Sequence, residues 1–301
     1  MGDTLNRAEA VGYGKFVLGA YAMYERDRNK LCPEPQPGDI PDTHELQAWI
    51  VMSDFILGIN TPTFYGYVAR KKTAPEAFIL AIRGTENIVE WIDDAFIHLV
   101  PFSQVPDAGS VAQGFDKIYS SMQVIPHPDA IGGGAKPEAV PARLDGTFYE
   151  QMEQLHARMR NAERARGTAE RATDVRPPYH VAGHSLGAAL GTLWTMENAK
   201  TRNSFAIETL CTFGSPHVGD RVFARLFNLL PLDSWRMANK GDLVPKLPIP
   251  IPLILDYEHV ATGYEFWSQP GPHKLDLLCC HSMFTYLHWL DAAEPLQTNC
   301  Q

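Results

Sequence analysis

Five cysteines in 301 residues are too few for a disulfide framework, and their odd number leaves at least one thiol unpaired, so a reducing compartment is the expectation. No apolar run reaches the roughly eighteen residues that a membrane-spanning helix needs. Basic charge is in deficit: 26 Lys and Arg against 35 Asp and Glu leave a formal net charge of −9. That balance argues against a nucleic-acid partner and gives no electrostatic pull toward anionic membrane surfaces. No signal peptide is visible, because Asp3 stands in the first residues and Lys15 interrupts the apolar run from Val11 to Met23. The expected location is therefore cytoplasmic, or secreted with the signal already removed. No repeat with a period of about 20 to 50 residues is apparent. What remains is a chain with 45% hydrophobic residues and a mean hydropathy of −0.20, enough apolar material for one large α/β domain over residues 1–301.

Residues 1–60 read as a helical N-terminal part packed on the rest. Thr4 to Asp27 form an amphipathic pattern, a Pro-rich link from Cys32 to Pro41 ends it, and a second helical stretch is expected from near Thr43. Thr63–Arg70 and Ala77–Arg83 are β-rich runs joined by a polar turn. The Pro/Gly/Ala-rich segment 124–146 reads as a surface loop, and Thr147–Arg166 as a charged helix with a solvated face. Strands are expected at Phe205–Phe213 and Trp235–Asn239, helices at Val218–Leu230 and Cys280–Leu290, and an alternating stretch at Tyr257–Trp267. Strands alternating with helices imply a mostly parallel sheet covered on both faces.

The chemistry centres on Tyr179-His180-Val181-Ala182-Gly183-His184-Ser185-Leu186-Gly187, where an apolar run enters Gly-His-Ser-Leu-Gly and a small-residue helix pattern leaves it. This is a nucleophile elbow. Small neighbours at Gly183 and Gly187 let the Ser185 hydroxyl project at a helix N-terminus, where the dipole favours developing negative charge. A serine hydroxyl needs a histidine base and a carboxylate behind it, and on this fold the chain order is Ser, acid, His. Asp242 is the favoured acid, in a loop just past the Trp235–Asn239 strand. Asp220, Asp233 and Asp256 read instead as caps or surface groups. Loop position favours His273 or His281 as the base, and His281 sits at a loop-to-helix junction; His259, within an alternating strand, reads as structural. The oxyanion is expected to rest on the backbone N–H of Leu186 and on Arg83-Gly84-Thr85, with Thr85 as the second donor. Taken alone, Arg-Gly-Thr would be a turn with a surface arginine. Beyond it, Ile88, Trp91, Ile92, Ala95 and Phe96 recur on one face of a short amphipathic helix, placed to act as a lid over an acyl pocket. Leu247–Leu255, rich in Pro and Ile, is expected to line an apolar wall of the same cleft.

In order along the chain, these pieces resemble the class 3 lipase family, the fungal-type triacylglycerol lipases with an α/β-hydrolase fold. The matching residues are Ile82-Arg83-Gly84-Thr85 with Glu90-Trp91-Ile92-Asp93-Asp94, Gln113-Gly114-Phe115 with Tyr119, the elbow, Thr212 to Asp220, Asp242 to Pro248, Tyr257-Glu258-His259, and His281 ahead of Tyr286-Leu287. The resemblance implies Ser185 as nucleophile, Asp242 as acid, His281 as base, Thr85 and Leu186 as oxyanion donors, and the Trp91 helix as lid. Three positions depart from it: Gln113, Ala188 and His217 stand where the family usually carries histidine, glycine and arginine.

The function expected is carboxylic ester hydrolysis through an acyl-enzyme, with triacylglycerol at an oil–water interface as substrate and with no metal or cofactor. Cys279-Cys280-His281 has no complementary spacing that would complete a metal site. An esterase or phospholipase without strong triglyceride preference is the alternative within the same chemistry. A non-catalytic lipid-binding protein is the alternative of another class.

Overall fold

The computed structural model describes residues 6–53, 61–85, 97–133, 143–167, 176–251, 255–268 and 277–296. Its N-terminal part comprises helix α1 (Arg7–Arg26) and strands β1 (His44–Ser53), β2 (Pro62–Lys71) and β3 (Phe78–Ile82). There follow β4 (Leu99–Pro101), β5 (Ser110–Ala112), α2 (Gln113–Ser120), β6 (Gln123–Pro126) and α3 (Phe148–Arg166). The elbow region is β7 (Pro178–His184), α4 (Leu186–Lys200) and β8 (Ala206–Phe213). The last part holds β9 (Gly219–Asp220), α5 (Arg221–Phe227), β10 (Asp233–Asn239), β11 (Tyr257–Glu258), β12 (Thr262–Phe266), α6 (Leu277–His281) and α7 (Met283–Leu290).

Eight strands form one sheet in the order β12-β10-β8-β7-β3-β2-β1-β6. The five from β12 to β3 run parallel, and β2, β1 and β6 complete the sheet antiparallel. This is the α/β-hydrolase arrangement expected: a mostly parallel central sheet flanked by helices. Its two faces are read directly from strand alternation. Leu80, Ile82 and Val181 point into a core covered by α2, α3 and α4, while Ile79, Ala81 and Ala182 point to the opposite core under α1 and α7. Packed on β3, β7 and β8, α4 is buried almost along its whole length, and Gly187, Ala188, Ala189 and Gly191 keep it thin enough to lie against the sheet.

Two expectations about local structure need correction. The stretch from His44 to Ser53 is strand β1, not a second helix, so residues 1–60 are helical only in their first part. Leu46 through Met52 are all buried. A strand covered on both faces loses the period-two alternation that would have distinguished it from an apolar helix. The 124–146 segment is likewise not loop throughout, because Gln123–Pro126 pairs with β1 at the sheet edge and Pro128–Ile131 makes a short 3-10 turn. Among the described cysteines, Cys279 is disulfide-bonded, whereas Cys32 and Cys211 are free thiols. No described helix is long and apolar enough to cross a membrane.

Between α2 and α4 lies a buried carboxyl, Glu197, to which the Tyr119 hydroxyl donates. Burial raises the Glu197 pKa to about 7. The unfolded chain releases that proton near pH 4.5 while the folded chain holds it, so this group's stabilising effect is present below the unfolded pKa and is lost as pH rises through about 7. Glu197→Gln removes the effect and keeps an acceptor for Tyr119. We expect the stability of the variant relative to wild type to improve by on the order of 2 kcal/mol between pH 5 and pH 8. Thermal melts at the two pH values check this, and a pH-independent difference would contradict it.

Candidate active site

Strand β7 ends at His184, and α4 begins at Leu186, so the single residue between them must turn the chain sharply. Ser185 does so at φ 57° and ψ −124°, a backbone conformation that residues bearing a Cβ rarely adopt. Its N–H is anchored by donation to the Phe213 carbonyl at 2.9 Å, and its own carbonyl accepts from the Ala188 and Ala189 amides at 3.0 and 3.3 Å. A Cβ on Gly183 would stand 2.4 Å from the Gly187 carbonyl oxygen, which is why the strand and the helix approach this closely only through glycine. The side chain of Ser185 is fully buried at the helix N-terminus, where Leu186 supplies one of the first amides, a group without an intrahelical acceptor.

Asp242 lies in the turn after β10 and His281 at the end of α6, 39 residues apart, and the structure brings them into contact: His281 Nδ1–H donates to Asp242 Oδ2 at 2.6 Å. A carboxylate only accepts, so the proton sits on Nδ1 and the lone pair of Nε2 faces away from the acid. Asp242 is only 1% exposed, and a charge so far from water needs further donors. Val244 N–H donates to Oδ1 at 2.9 Å and the Tyr286 hydroxyl to Oδ2 at 2.8 Å. Burial and the Asp242 charge push the Tyr286 pKa well up, which keeps it a donor.

Asn239 joins the two loops. Its Nδ2 donates to the Cys280 carbonyl at 2.8 Å and to Ser268 Oγ at 2.7 Å, its Oδ1 accepts from the amides of Gly241 and Ser268, and its N–H donates to the Tyr286 oxygen. Gly214, at φ 57°, lies beneath this contact, and a Cβ there would come within 3.0 Å of His281 Cε1 and 3.2 Å of Asp242 Oδ2.

Arg83-Gly84-Thr85 runs beside the elbow. A Cβ on Gly84 would stand 2.7 Å from Ser185 Cβ. Arg83 is buried rather than a surface residue: its guanidinium lies between the rings of Tyr24 and Tyr65 and donates to the carbonyls of Phe64 and Gly84. Gly84 N–H is taken by the Tyr21 hydroxyl at 2.8 Å, so it is Thr85, itself nearly buried, that continues the loop beside Ser185.

Ser185 Oγ and His281 Nε2 are both buried, and neither has a hydrogen-bond partner among the described residues. Unmet polar atoms in a protein interior are uncommon, and a nucleophile and its base often tighten only around bound substrate.

The other candidates fall elsewhere. His259 lies one residue past β11, with its ring stacked 3.8 Å from that of His217 and its Nε2–H bonded to the Pro245 carbonyl; burial lowers its pKa to about 3 and that of His217 to about 4. Asp220 caps α5 through the Phe223 amide, and Asp256 pairs with Arg221. His273 and the lid residues Ile88, Trp91, Ile92 and Phe96 lie outside the described residues. Among the described residues, no group of three or more His, Cys, Asp or Glu side chains is placed to hold a metal ion.

Sequence reading passed over Asn239 and Tyr21 and quoted Tyr286 only within the resemblance, without its contact to the acid. Each is a polar side chain in an apolar helix or at a strand end, where a core-packing reading suffices. The one available signal was that Tyr286 follows His281 on the next helix.

The family described as Lipase (class 3) matches residues 79–251. The chain is 28% identical to phospholipase A1-II 4 of Oryza sativa subsp. japonica over 96% of its own length and 76% of that protein. It is 33% identical to a secreted mono- and diacylglycerol lipase of Fusarium solani over 79% of its length and 57% of that protein. It spans about half the length of some other relatives, 49% in two rice phospholipases. The fold is similar to that of a lipase from Rhizopus microsporus var. chinensis, with a TM-score of 0.57 at 18% identity over 90% of this chain and 78% of that one.

The contact at Gly183 makes a mechanical prediction. Gly183→Ala places a methyl group against main chain that cannot rotate away, and should cost about 3 kcal/mol or more of stability. The urea midpoint reads this out; a midpoint equal to that of wild type would show that the elbow is not closed as described.

Proposed function

The chain belongs to the class 3 lipase family, and from that premise we propose that Ser185, His281 and Asp242 are the triad of an acyl-ester hydrolase acting on glycerolipids. Family membership makes it an ester-hydrolysing enzyme. The observation that carries the assignment of residues is the 2.6 Å bond between His281 Nδ1 and a buried Asp242, with Nε2 of the same ring and the hydroxyl on the strained turn at Ser185 both without a partner among the described residues.

The chemistry follows from the proton positions. Ser185 Oγ attacks the ester carbonyl while its proton passes to His281 Nε2, and the Asp242 carboxylate stabilises the imidazolium through Nδ1–H. The tetrahedral oxyanion rests on the Leu186 amide at the α4 N-terminus and on Thr85. Collapse breaks the acyl C–O bond, and the departing alcohol takes the proton from Nε2. Water then enters by the same path, its proton going to Nε2 and its oxygen to the acyl carbon, and Ser185 leaves reprotonated with a free carboxylic acid. No step needs a metal or an organic cofactor.

Apolar side chains mark the substrate class. Leu243, Ile249 and Ile251 follow the acid along one loop and Leu278 precedes the base, and all four are exposed. Exposed apolar side chains close in sequence to the acid and the base suit long acyl chains presented at an oil–water interface. The lid role expected from the sequence for Ile88, Trp91, Ile92 and Phe96 belongs to the same proposal. Neutral acylglycerol is the favoured substrate, in keeping with a net charge of −9. Phospholipid acyl ester is the second reading, favoured by the phospholipase A1 name of the rice relative aligned over 96% of this chain.

Hydrolysis of p-nitrophenyl esters from short to long acyl chains, of emulsified triglyceride and of phosphatidylcholine vesicles tests both parts. Ser185→Ala and His281→Ala should each lower kcat by roughly four to six orders of magnitude, and Asp242→Asn by about four. Triglyceride turnover should rise disproportionately above the solubility limit. Vesicle hydrolysis exceeding emulsion hydrolysis would move the assignment to the phospholipid reading, and an active His281→Ala would remove His281 from the mechanism.

A further inference from the structure

Helix α1 lies outside the residues matched by the family, yet one of its side chains reaches the site. The Tyr21 hydroxyl accepts from Gly84 N–H at 2.8 Å and contacts His184 Nδ1 at 2.7 Å, and His184 Nε2 contacts the main-chain carbonyl of His281 at 2.8 Å. The direction of every bond is fixed by chemistry. A carbonyl only accepts, so Nε2 carries the proton. Nδ1 of the neutral ring is then an acceptor, and the Tyr21 hydroxyl must donate to it while taking the Gly84 amide on a lone pair. Burial and the neighbouring His281 hold the His184 pKa well below the ordinary histidine value, which keeps the ring neutral and in that one tautomer. The two imidazoles lie with centroids 4.5 Å apart, so His184 both packs on the His281 ring and holds its main chain.

We propose that Tyr21 is a positioning residue whose hydroxyl ties the oxyanion loop at Gly84 to the main chain of His281 through His184, fixing hole and base relative to Ser185. Carried on α1, the hydroxyl touches both the loop after β3 and the elbow strand β7. Preorganisation of this kind is used in the transition state more than in substrate binding. The proposal rests on the triad reading above.

The structure contains its own control. Two turns earlier on the same helix, the Tyr13 hydroxyl contacts His180 Nδ1 at 3.2 Å, four residues before His184 on the same strand. Tyr13 and Tyr21 thus join α1 to β7 by the same kind of Tyr–His bond, and only the second leads on to the site. A role limited to holding the helix would make the two equivalent.

The test compares Tyr21→Phe with Tyr13→Phe in the full chain, measuring kcat and KM for p-nitrophenyl butyrate, the rate of inactivation by a p-nitrophenyl phosphonate, and Tm. Tyr21→Phe should lower kcat and the phosphonylation rate about five- to tenfold with KM within about twofold, while Tyr13→Phe leaves both rates within about twofold of wild type at a similar Tm. Equal rates in Tyr21→Phe and wild type, or a loss shared by both variants in step with Tm, would overturn the proposal. A second pair decides it should Tyr21→Phe not fold. His184→Gln keeps a donor toward the His281 carbonyl and should retain more kcat than His184→Asn, which does not; equal or reversed activity counts against the relay. Ser185→Ala run alongside separates the two readings, because activity in that variant removes the triad, whereas an inert Ser185→Ala with a fully active Tyr21→Phe removes only the relay.

Discussion

A buried carboxylate governs this molecule. Asp242 sits almost entirely out of water, where an ionised group is tolerated only if donors surround it. Those donors come from the turn that follows β10, from α6 and from α7. The C-terminal helices are thereby committed to one position over the end of the parallel strands, and His281 is committed with them. Tyr286 serves this arrangement twice, since its oxygen accepts from Asn239 N–H while its proton goes to the acid. Asn239 closes the circuit by holding the carbonyl of Cys280.

The elbow is the complementary constraint. Ser185 occupies a backbone conformation unfavourable by about 1–3 kcal/mol for a residue with a side chain. It persists because β7 pairs with β3 and β8 on both sides, and because the amide of Ser185 is itself tied to Phe213. The parallel half of the sheet carries all of this. The antiparallel half contributes support from a distance: Phe64 and Tyr65 of β2 hold the Arg83 guanidinium, and Arg83 holds the loop beside Ser185.

Local signals in the chain revealed the elbow, the hairpin of β2 and β3, and helix α3, because small residues at a turn, β-rich runs joined by a polar link and a charged helical stretch act over a few residues; the Thr147–Glu150 capping box at the start of α3 is visible only in the structure. They failed at β1, where burial on both faces erased the period. Taken alone, Arg-Gly-Thr suggested a surface arginine at Arg83, which two tyrosine rings and two carbonyls in fact enclose. Loop position alone left His273 and His281 equal as partners for Asp242; the ordered family resemblance singled out His281. Nothing in the sequence singled out Tyr21 or Asn239, since hydrogen bonds between residues 29 to 163 positions apart leave no local trace.

Chain order gives the arrangement a temporal character. During synthesis the loop at Thr85 emerges first, the elbow about a hundred residues later, then Asp242, and His281 on α6 only near residue 281. On the proposed roles, a ribosome-bound chain carries its nucleophile, its acid and its oxyanion donors for some time without a base. Attack by Ser185 on these roles therefore waits until α6 sets His281 against Asp242.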